Sequence, residues 1–450
     1  MGNKIVIVGA GDVGFYLAKT LSKRDNSVTI IDLVAAKCQR ARQNLDILVI
    51  EGNGAQSKIL HEAKAEEADI FLAVTRTDEV NIIACMKAHK MAPKARILAR
   101  VRSNDYLDKY SVLNLKELGI DRVINPEQMV AKEIVHLVQN SIAQEIMTYA
   151  NNELYMVALY PKNDCEIMGC SLQEIGQKYE DLAFRTVAIE RNGETIIPTG
   201  KTVYMKDDKT FVICRKDRLE EMYRLSGYRR ERKLKNIMIL GGSKLGRLVA
   251  EELSGHFNIR LIEKDIEKLK RISKELPEVL LLESDGLDMD FLESEGIAEI
   301  DAFLALTNDQ TTNLFAGLMA KQMGASKAIV HVTTPDYLPI VHGLGINSVV
   351  SKNISTVDAF MRYVLRGRVH SVMMLEGIES DIIELSPSPN SKIIGIPLRD
   401  MDFPVGAIVG AVIHPDSVEI ATGKTVIGPQ DRVLVFTKEN KVSDVETLFV

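Results

Sequence analysis

Short apolar segments alternate with helix-length amphipathic segments through the first 125 residues of the chain. The apolar segments have the length of buried strands, and they cover residues 5–8, 28–31, 47–50, 70–74, 97–101 and 122–125. Strands that are apolar on both faces are typical of a parallel sheet covered by helices on both sides. The pattern therefore predicts a doubly wound α/β domain with six parallel strands.

The same pattern returns in the second half of the chain. Residues 4–14 (KIVIVGAGDVG) are similar to residues 235–246 (KNIMILGGSKLG), and aligning Gly9 with Gly241 gives an offset of 232 residues. This offset also aligns three further pairs, which are Asn53 with Asp285, Thr75 with Thr307, and Asn81 with Asn313. Agreement at four positions indicates a tandem duplication.

A smaller strand-rich segment follows each of these domains. In the first copy its strands are predicted at 154–160, 184–190 and 211–215, and in the second copy at 381–385, 407–413 and 432–436. The two segments align at an offset of 223 residues, which places Asp208 on Asp431. Asn192–Gly193 is a turn signal between two of the strands. We therefore expect each large domain to be followed by a small α+β domain.

These patterns predict four domains in the order large, small, large, small. Their predicted boundaries are 1–138, 139–228, 229–368 and 369–450. Between the first two domains, residues 127–147 have the apolar spacing of one long helix. The basic segment 229–235 is interpreted as a solvated linker, with docking on an acidic partner or on lipid headgroups as the alternative.

Composition and charge narrow the class of protein. Of 450 residues, 46% are hydrophobic and 26% are charged, which is typical of soluble globular domains. The net charge of -6 gives no reason to expect nucleic acid. Five cysteines in so long a chain favour a reducing compartment. The spacing of Cys165 and Cys170 matches no common metal site, so no metal site is predicted. Because no apolar run is long enough to cross a bilayer, we expect any membrane role to require a partner.

The segment Gly9–Gly14 (GAGDVG) is a glycine loop between a predicted strand and a predicted helix. Gly9 permits a tight turn, Gly11 lets backbone amides approach a pyrophosphate, and Gly14 lets the helix pack closely on the strand. Asp32 ends the second strand, where a carboxylate can accept hydrogen bonds from ribose hydroxyls. Since Leu33 and Val34 follow, the sequence places no cation there for a 2′-phosphate. These features predict a Rossmann-like site for NAD(H), or for an adenine nucleotide with a free ribose.

Further candidates lie where the other predicted strands end. They are Gly52 and Asn53 after the third strand, Thr75 and Arg76 after the fourth, and Arg100 at the end of the fifth. Ligands of doubly wound sheets bind at this carboxyl edge. An arginine there can pair with phosphate oxygens, although an ordinary surface ion pair is the alternative interpretation.

The second copy differs from the first at three of these positions. Ser243 stands in place of Gly11, Glu263 in place of Asp32, and His331 in place of Arg100. The serine side chain occupies space where backbone would approach a phosphate, while its hydroxyl could still donate to one. A histidine lacks the permanent charge of arginine. The second pocket is therefore predicted to bind a nucleotide differently or more weakly.

The TGKT turn at residues 199–202 returns at residues 422–425. Together with the glycine loops and the acidic residues Asp32 and Glu263, these paired turns resemble the duplicated KTN/RCK family of Trk-type potassium uptake regulatory subunits. The resemblance covers nearly the whole chain. It implies a cytoplasmic protein that forms a homo-oligomeric ring, docks peripherally on a separate membrane potassium channel or transporter, and responds to NAD(H) or ATP/ADP.

The resemblance also implies which residues line the two nucleotide sites. Carried over by position, the first site comprises Gly9, Ala10, Gly11, Asp12, Val13, Asp32, Asn53, Thr75, Arg76 and Arg100. The second comprises Gly241, Gly242, Ser243, Lys244, Leu245, Glu263, Asp285, Thr307, Asn308 and His331.

The main alternative is an NAD-dependent oxidoreductase with a duplicated Rossmann unit. Such an enzyme needs an acid–base group beside the nicotinamide. The small domain of the first copy contains no histidine, and His370 and His414 of the second have no histidine counterpart, so no catalytic residue is predicted. A nucleotide-responsive DNA-binding regulator is disfavoured by the acidic balance. The sequence leaves open which nucleotide is the signal, how many subunits form the ring and which channel is the partner.

Overall fold

The computed structural model describes most of the chain. The described residues are 2–23, 26–107, 111–140, 142–179, 184–228, 234–334, 341, 345–364, 369–374 and 380–450. They divide into two compact units, one of residues 1–130 with 351–364 and one of residues 131–350 with 365–450. The four domain boundaries predicted from the sequence stay predictions. In the described part of the chain, no helix combines the length and the apolar character that a bilayer crossing requires.

The first unit contains a six-stranded parallel sheet. Its strands are β1 (Lys4–Val8), β2 (Ser27–Asp32), β3 (Leu48–Glu51), β4 (Ile70–Ala73), β5 (Arg96–Arg100) and β6 (Arg122–Ile124). Their order is β3-β2-β1-β4-β5-β6, and all six strand segments predicted from the apolar runs are confirmed. The central strands are buried on both faces, since Ile7 and Phe71 are fully inaccessible to solvent. This is the Rossmann-like, doubly wound arrangement.

The second unit repeats this sheet. Its strands are β12 (Asn236–Leu240), β13 (Asn258–Glu263), β14 (Leu280–Glu283), β15 (Ala302–Ala305), β16 (Lys327–Val332) and β17 (Ser348–Ser351). Their order, β14-β13-β12-β15-β16-β17, is that of the first sheet. The predicted α/β fold class with two Rossmann-like domains is confirmed.

Helices connect the parallel strands in both units. Those of the first copy are α1 (Asp12–Ser22), α2 (Ala35–Asn44), α3 (Ser57–Glu62), α4 (Asp78–Met91) and α5 (Pro126–Gln139), followed by α6 (Leu172–Lys178) and α7 (Leu219–Leu225). Those of the second copy are α8 (Lys244–Ser254), α9 (Ile266–Glu275), α10 (Met289–Ser294), α11 (Gln310–Gln322), α12 (Lys352–Val364) and α13 (Val442–Leu448).

The prediction of one long helix over residues 127–147 is wrong. Helix α5 ends at Gln139, where the side-chain amide of Asn140 donates to the carbonyl oxygen of His136 at 2.8 Å. The chain then enters strand β7 (Glu145–Tyr149), which pairs with strand β8 (Leu154–Leu159). Pairing between strands overrides the helical spacing, as tertiary contacts often do for segments of intermediate propensity.

Each small domain forms a five-stranded antiparallel sheet. The first adds β9 (Phe184–Arg191), β10 (Glu194–Ile196) and β11 (Lys209–Arg215) to β7 and β8. The second contains β18 (Val369–Met374), β19 (Ser380–Leu385), β20 (Ala407–Ile413), β21 (Val418–Ile420) and β22 (Arg432–Lys438). Asn192 and Gly193 both have positive φ, at 54° and 81°, as the predicted tight hairpin requires. The two sheets bury one shared apolar core that includes Val187, Phe211 and Phe436.

The helix that follows each Rossmann-like sheet packs against residues of the other copy. In the first unit, α12 lies on α1 and β6, and the Arg96 side chain donates to the carbonyl oxygen of Tyr363 in its last turn. In the second unit, the buried ammonium group of Lys327 donates to the carbonyl oxygens of Leu137 and Ala143, at the end of α5 and just beyond it, at 2.8 and 2.9 Å. Arg96 and Lys327 are the first residues of β5 and β16. A cation therefore stabilises the negative end of each exchanged helix.

A buried carboxylate near the end of each small domain holds a cation of its own copy. In the first, Arg191 donates to Asp208 through two nitrogens at 2.7 and 2.8 Å. In the second, His414 stands in the position of that arginine, with its Nδ1 2.9 Å from Asp431 and its Nε2 3.4 Å from Glu419. His414 thus has a positional counterpart after all, although that counterpart is an arginine. The side chain of His370 lies outside the described residues.

This substitution is expected to make the second small domain sensitive to pH. Burial lowers the pKa of His414, but Asp431 and Glu419 together outweigh burial, so the pKa is raised above its ordinary value. The pair then stabilises the fold fully below the unfolded pKa of 6.5, and this stabilisation is lost as pH rises through the higher folded value. We expect a His414→Arg variant to be more stable than wild type by up to about 1 kcal/mol, and only at pH values above the folded-state pKa of His414.

Urea unfolding of both proteins at about pH 5.5 and about pH 8.5 measures this difference. Arg191→Lys in the first small domain is the control, because its charge does not titrate over this range. An equal stability difference between wild type and the His414→Arg variant at the two pH values would contradict the prediction.

Candidate functional site

The first glycine loop lies between β1 and α1 and leaves one position open. Gly9 has φ of 110°, and a Cβ there would come within 3.0 Å of the Thr75 backbone nitrogen. A Cβ on Gly14 would overlap the carbonyl oxygen of Gly9. A Cβ on Gly11, by contrast, would meet nothing within 4 Å in the part of the chain that the structure describes. Gly9 and Gly14 are therefore required by the fold, whereas the space beside Gly11 is open to a ligand.

The carboxylate of Asp32 holds this loop in place. Its Oδ2 accepts a hydrogen bond from the backbone nitrogen of Ala10 at 2.7 Å, and its Oδ1 accepts one from Val34 at 2.8 Å. The ammonium group of Lys37, on α2, lies 3.6 Å from Oδ2. A cation thus stands beside Asp32 although none follows it directly in the sequence, because α2 brings back a lysine that is five residues away.

The second loop has the same backbone but fills the open position. Gly241 has φ of 104°, and a Cβ on Gly246 would overlap the carbonyl oxygen of Gly241. The hydroxyl of Ser243 caps α8 by accepting from the Gly246 backbone nitrogen at 3.1 Å, and it donates to the carbonyl oxygen of Leu306 at 2.6 Å. Its one proton is therefore used within the protein and is not available to a phosphate, contrary to the possibility raised from the sequence.

Glu263 repeats the role of Asp32 in the second copy. Its Oε2 accepts from the backbone nitrogen of Gly242 at 3.0 Å, and its Oε1 accepts from Lys264 at 3.0 Å. Lys268 forms an ion pair with it from α9, five residues further along, as Lys37 does with Asp32. Both acidic residues thus bind the second residue of their glycine loop and a lysine of the following helix.

Thr75 and Thr307 are tied into identical hydrogen-bond networks. The Thr75 hydroxyl donates to Asn81 Oδ1 at 2.7 Å, and the Asn81 amide donates to the carbonyl oxygens of Thr75 and Arg100 at 3.1 and 2.8 Å. Asn313 does the same for Thr307 and His331. Each asparagine therefore fastens the ends of two neighbouring strands together, which explains why it repeats in the sequence.

Asn53 and Asp285 form matching turns after the third strand of each sheet. The side-chain oxygen of Asn53 accepts from the backbone nitrogen of Ala55 at 2.9 Å, and that of Asp285 accepts from Leu287 at 2.9 Å. Gly52 packs against Ile59, so a side chain at Gly52 would collide with it. The structure thus gives these predicted site residues a local role in shaping the edge of the sheet.

Three arginines stand together at the carboxyl edge of the first sheet. Arg102 donates to the carbonyl oxygen of Arg76, and both side chains are close enough to Arg100 for their charges to lower its pKa. Arg100 itself is only 8% exposed, and its Nε is buried without a hydrogen-bond partner among the described residues. Burial is the largest cause of its lowered pKa, and Glu127 and Asp78 oppose it. A buried cation beside two others favours an anionic ligand.

The second copy replaces every charge of this cluster by an uncharged or weakly basic group. Asn308 stands for Arg76, the buried His331 for Arg100, and Thr333 for Arg102. Gln310 stands for Asp78, and its Oε1 accepts from the backbone nitrogen of Thr333 at 3.1 Å, just as Asp78 Oδ2 accepts from that of Arg102 at 2.9 Å. The scaffold is kept while the positive charge is removed.

The remaining predicted residues divide into core and surface. Val13 and Leu245 are buried, 4% exposed each, so only their backbone could reach a ligand. Asp12 begins α1 and forms an exposed ion pair with Arg40 at 3.0 Å. Lys244 is its basic counterpart at the start of α8.

Sequence reasoning missed Arg102, Lys37, Lys268 and Glu127. Arg102 lies two residues beyond Arg100, so its position just past the end of the same strand was the available signal.

Two family models match the chain. The TrkA-N domain matches residues 5–126 and 237–352, which include both glycine loops and both Rossmann-like sheets. The TrkA-C domain matches residues 382–450, within the second small domain.

Curated relatives and solved structures are similar over nearly the whole chain. The Trk system potassium uptake protein TrkA of Vibrio alginolyticus is 32% identical, covering 99% of this chain and 98% of the relative. A TrkA homologue of Methanosarcina mazei is 34% identical, covering 99% and 100%. The crystal structure of the GsuK RCK domain shares the fold at 15% identity with a TM-score of 0.61, over 100% of this chain and 95% of that one. The GsuK channel bound to NAD, at 16% identity, has a TM-score of 0.59 over 100% and 79%. Identity of this extent over the full length shows that the chain belongs to the TrkA family of Trk-system potassium uptake proteins.

Proposed function

We propose that the chain is a nucleotide-sensing regulatory subunit that controls potassium flux through a separate membrane protein. The observation that carries the proposal is the contrast between the two pockets. One combines an open glycine position with three arginines, and the other keeps the same scaffold without either feature. A duplicated enzyme would be expected to keep its reactive groups in both copies, whereas a sensor can use one pocket for the signal.

The first pocket fits a nucleotide with two or more phosphates. The open space at Gly11 and the N-terminus of α1 suit a pyrophosphate, and the arginine cluster suits further negative charge. NAD(H) and ATP/ADP are the proposed ligands, in keeping with GsuK structures described as bound to NAD and to ADP. In this proposal Gly9 to Val13, Asp32 and Arg100 surround the ligand, while Asn53, Thr75 and Arg76 shape the edge. The second pocket is proposed to bind more weakly.

The proposed action on the membrane partner follows from linkage. A nucleotide shifts a conformational equilibrium only by its difference in affinity for the two states. We infer that the chain acts in a homo-oligomeric ring on the cytoplasmic face of the membrane, where a nucleotide-induced change in its shape is transmitted to a Trk-type channel or transporter. The relatives are named as potassium uptake proteins, which supports a partner of this kind.

The side chains at the carboxyl edge of the first sheet argue against a dehydrogenase. Asp32 binds the backbone of its own loop, Asp78 binds the backbone nitrogens of Arg102 and Ser103, and Glu127 is paired with Lys352. These three carboxylates therefore each have a structural partner, and none of the three is presented as a general base for hydride chemistry.

Flux measurements on reconstituted protein test the proposal. The chain would be combined with its membrane partner in vesicles, and potassium flux measured with NADH, NAD, ATP or ADP, alongside calorimetry of each nucleotide. Asp32→Ala removes the acceptor that fixes the loop, so its affinity should fall by about tenfold or more and the response of the flux should disappear. Asp46→Ala, at an exposed position on the same unit, is the control.

Two results would contradict the proposal. One is a nucleotide-dependent flux that persists in an Asp32→Ala variant shown not to bind. The other is turnover of NADH with a simple carbonyl substrate by the purified wild-type chain, which would favour the oxidoreductase instead.

A further inference from the structure

A charged residue of the second copy pairs with a carboxylate near the carboxyl edge of the first sheet. Lys352 is the first residue of α12, which lies in the first unit, and its ammonium group is 3.4 Å from Glu127 Oε1. Glu127 is the second residue of α5. The ion pair therefore joins the N-terminal ends of the two helices that the copies exchange.

Glu127 lies close to Arg100 in the fold, because Arg100 pairs with Ile124 at the end of β6 and α5 begins two residues later. The side chain of Glu127 is about nine-tenths buried, and Oε2 has no hydrogen-bond partner among the described residues. The Nε atom of Arg100 is likewise buried and has no hydrogen-bond partner among the described residues. In keeping with this placement, the charge of Glu127 acts to raise the pKa of Arg100 against the effect of burial. The charge of Asp78 also raises the pKa of Arg100, whereas the charges of Arg76 and Arg102 lower it. Glu127 is thus paired with a lysine of the second copy and lies in the electrostatic field of an arginine of the first.

We propose that Lys352 is a positioning residue for the phosphate subsite of the first pocket, acting by holding Glu127 away from full pairing with Arg100. The proposal rests on the proposed function, because it takes Arg100 as the group that binds the nucleotide phosphates. Lys352 neutralises Glu127, so the positive potential of Arg100 remains available to an anion. Without Lys352, the buried carboxylate would have Arg100 as its main partner and would compete with the ligand.

This arrangement predicts opposite effects for the two partners of the ion pair. Lys352→Met leaves Glu127 charged and unneutralised, so affinity for ADP and ATP should fall by about three- to tenfold. Glu127→Gln removes the competing charge, so affinity should rise by about three- to tenfold. If the ion pair only stabilised the fold, both substitutions would weaken binding or leave it unchanged.

Calorimetry with ADP and ATP on the full chain measures these affinities. Lys352→Met is also made in the Glu127→Gln background, where it should have much less effect because it acts through the carboxylate. Arg362→Met removes an exposed cation at the other end of α12 and should leave the affinity as in wild type. Hydrogen exchange of α12 gives a second measurement. In wild type, nucleotide binding should change the protection of the α12 backbone amides from exchange. The Lys352→Met substitution should reduce that change.

The outcomes separate the inference from the function on which it rests. Wild type that binds none of the nucleotides overturns both. If wild type binds a nucleotide but the affinities of the two variants change in the same direction or not at all, the role of Lys352 is overturned and the proposed function stands. Opposite shifts, with a reduced effect in the double variant, support the inference.

Discussion

A Gly11→Ser variant is expected to fold at least as stably as wild type and to lose most of its nucleotide affinity. A Cβ at this position meets no described atom within 4 Å, so the fold accepts it. The second copy shows what a serine does there, since Ser243 caps its helix, and such a cap contributes about 1 kcal/mol. The added side chain enters the space of a pyrophosphate, so affinity should fall by about ten- to a hundredfold. Thermal unfolding and calorimetry with NADH and ADP measure the two effects separately.

Gly14→Ala is the matched control, because it alters the other kind of glycine in the same loop. Its Cβ would overlap the Gly9 carbonyl oxygen, so the first unit should be destabilised by about 2–4 kcal/mol. A Gly11→Ser variant that bound nucleotide with wild-type affinity would show that no phosphate approaches the loop at Gly11.

An Arg100→Met variant is expected to lose affinity in proportion to the charge of the ligand, without loss of stability. Among the described residues, Nε of the buried guanidinium has no hydrogen-bond partner, and burying such a group is costly. Its removal should therefore leave the free energy of unfolding unchanged or raise it slightly. Affinity for ATP should fall by about ten- to a hundredfold, that for ADP by less, and that for adenosine hardly at all. Calorimetry with ATP, ADP and adenosine measures the three affinities.

Lys94→Met, at an exposed position before β5, controls for a general change in surface charge. Equal losses for adenosine and ATP would show that Arg100 supports the pocket structurally rather than binding phosphate. A marked drop in thermal stability would show that the guanidinium has stabilising contacts beyond the carboxyl edge.

The sequence was sufficient for those features that depend on local pattern. The six strands of the first parallel sheet follow from continuous apolar runs, because a central strand buried on both faces is apolar nearly throughout, and the duplication extends them to the second sheet. The glycine loops follow from steric limits on a few backbone atoms, which is why Gly9 and Gly14 lie where the motif places them. The repeated asparagines Asn81 and Asn313 were found by alignment, although their task of fastening strand ends became clear only from the structure.

What the sequence did not reveal depends on contacts between distant segments. Lys37 reaches Asp32 only because α2 turns back over the end of β2. The end of α5 at Gln139 reflects the pairing of β7 with β8, a choice that no helical periodicity reports. The hydroxyl of Ser243 is directed to Leu306, a residue 63 positions away. Glu127 and Lys352 lie even further apart in the chain, so their pairing could not be expected from spacing.

The exchange of α5 and α12 has a consequence for how such a protein could arise. A polypeptide of one half alone would carry a helix whose packing surface belongs to another molecule, so two halves would have to associate before either was complete. Joining the halves in one chain makes this association intramolecular and independent of concentration. It also fixes the pairing of unlike halves, so that every pocket with the arginine cluster is accompanied by one pocket without it. Separate genes for the two halves would give a mixture of like and unlike pairs, with a variable number of sensing sites in each assembly.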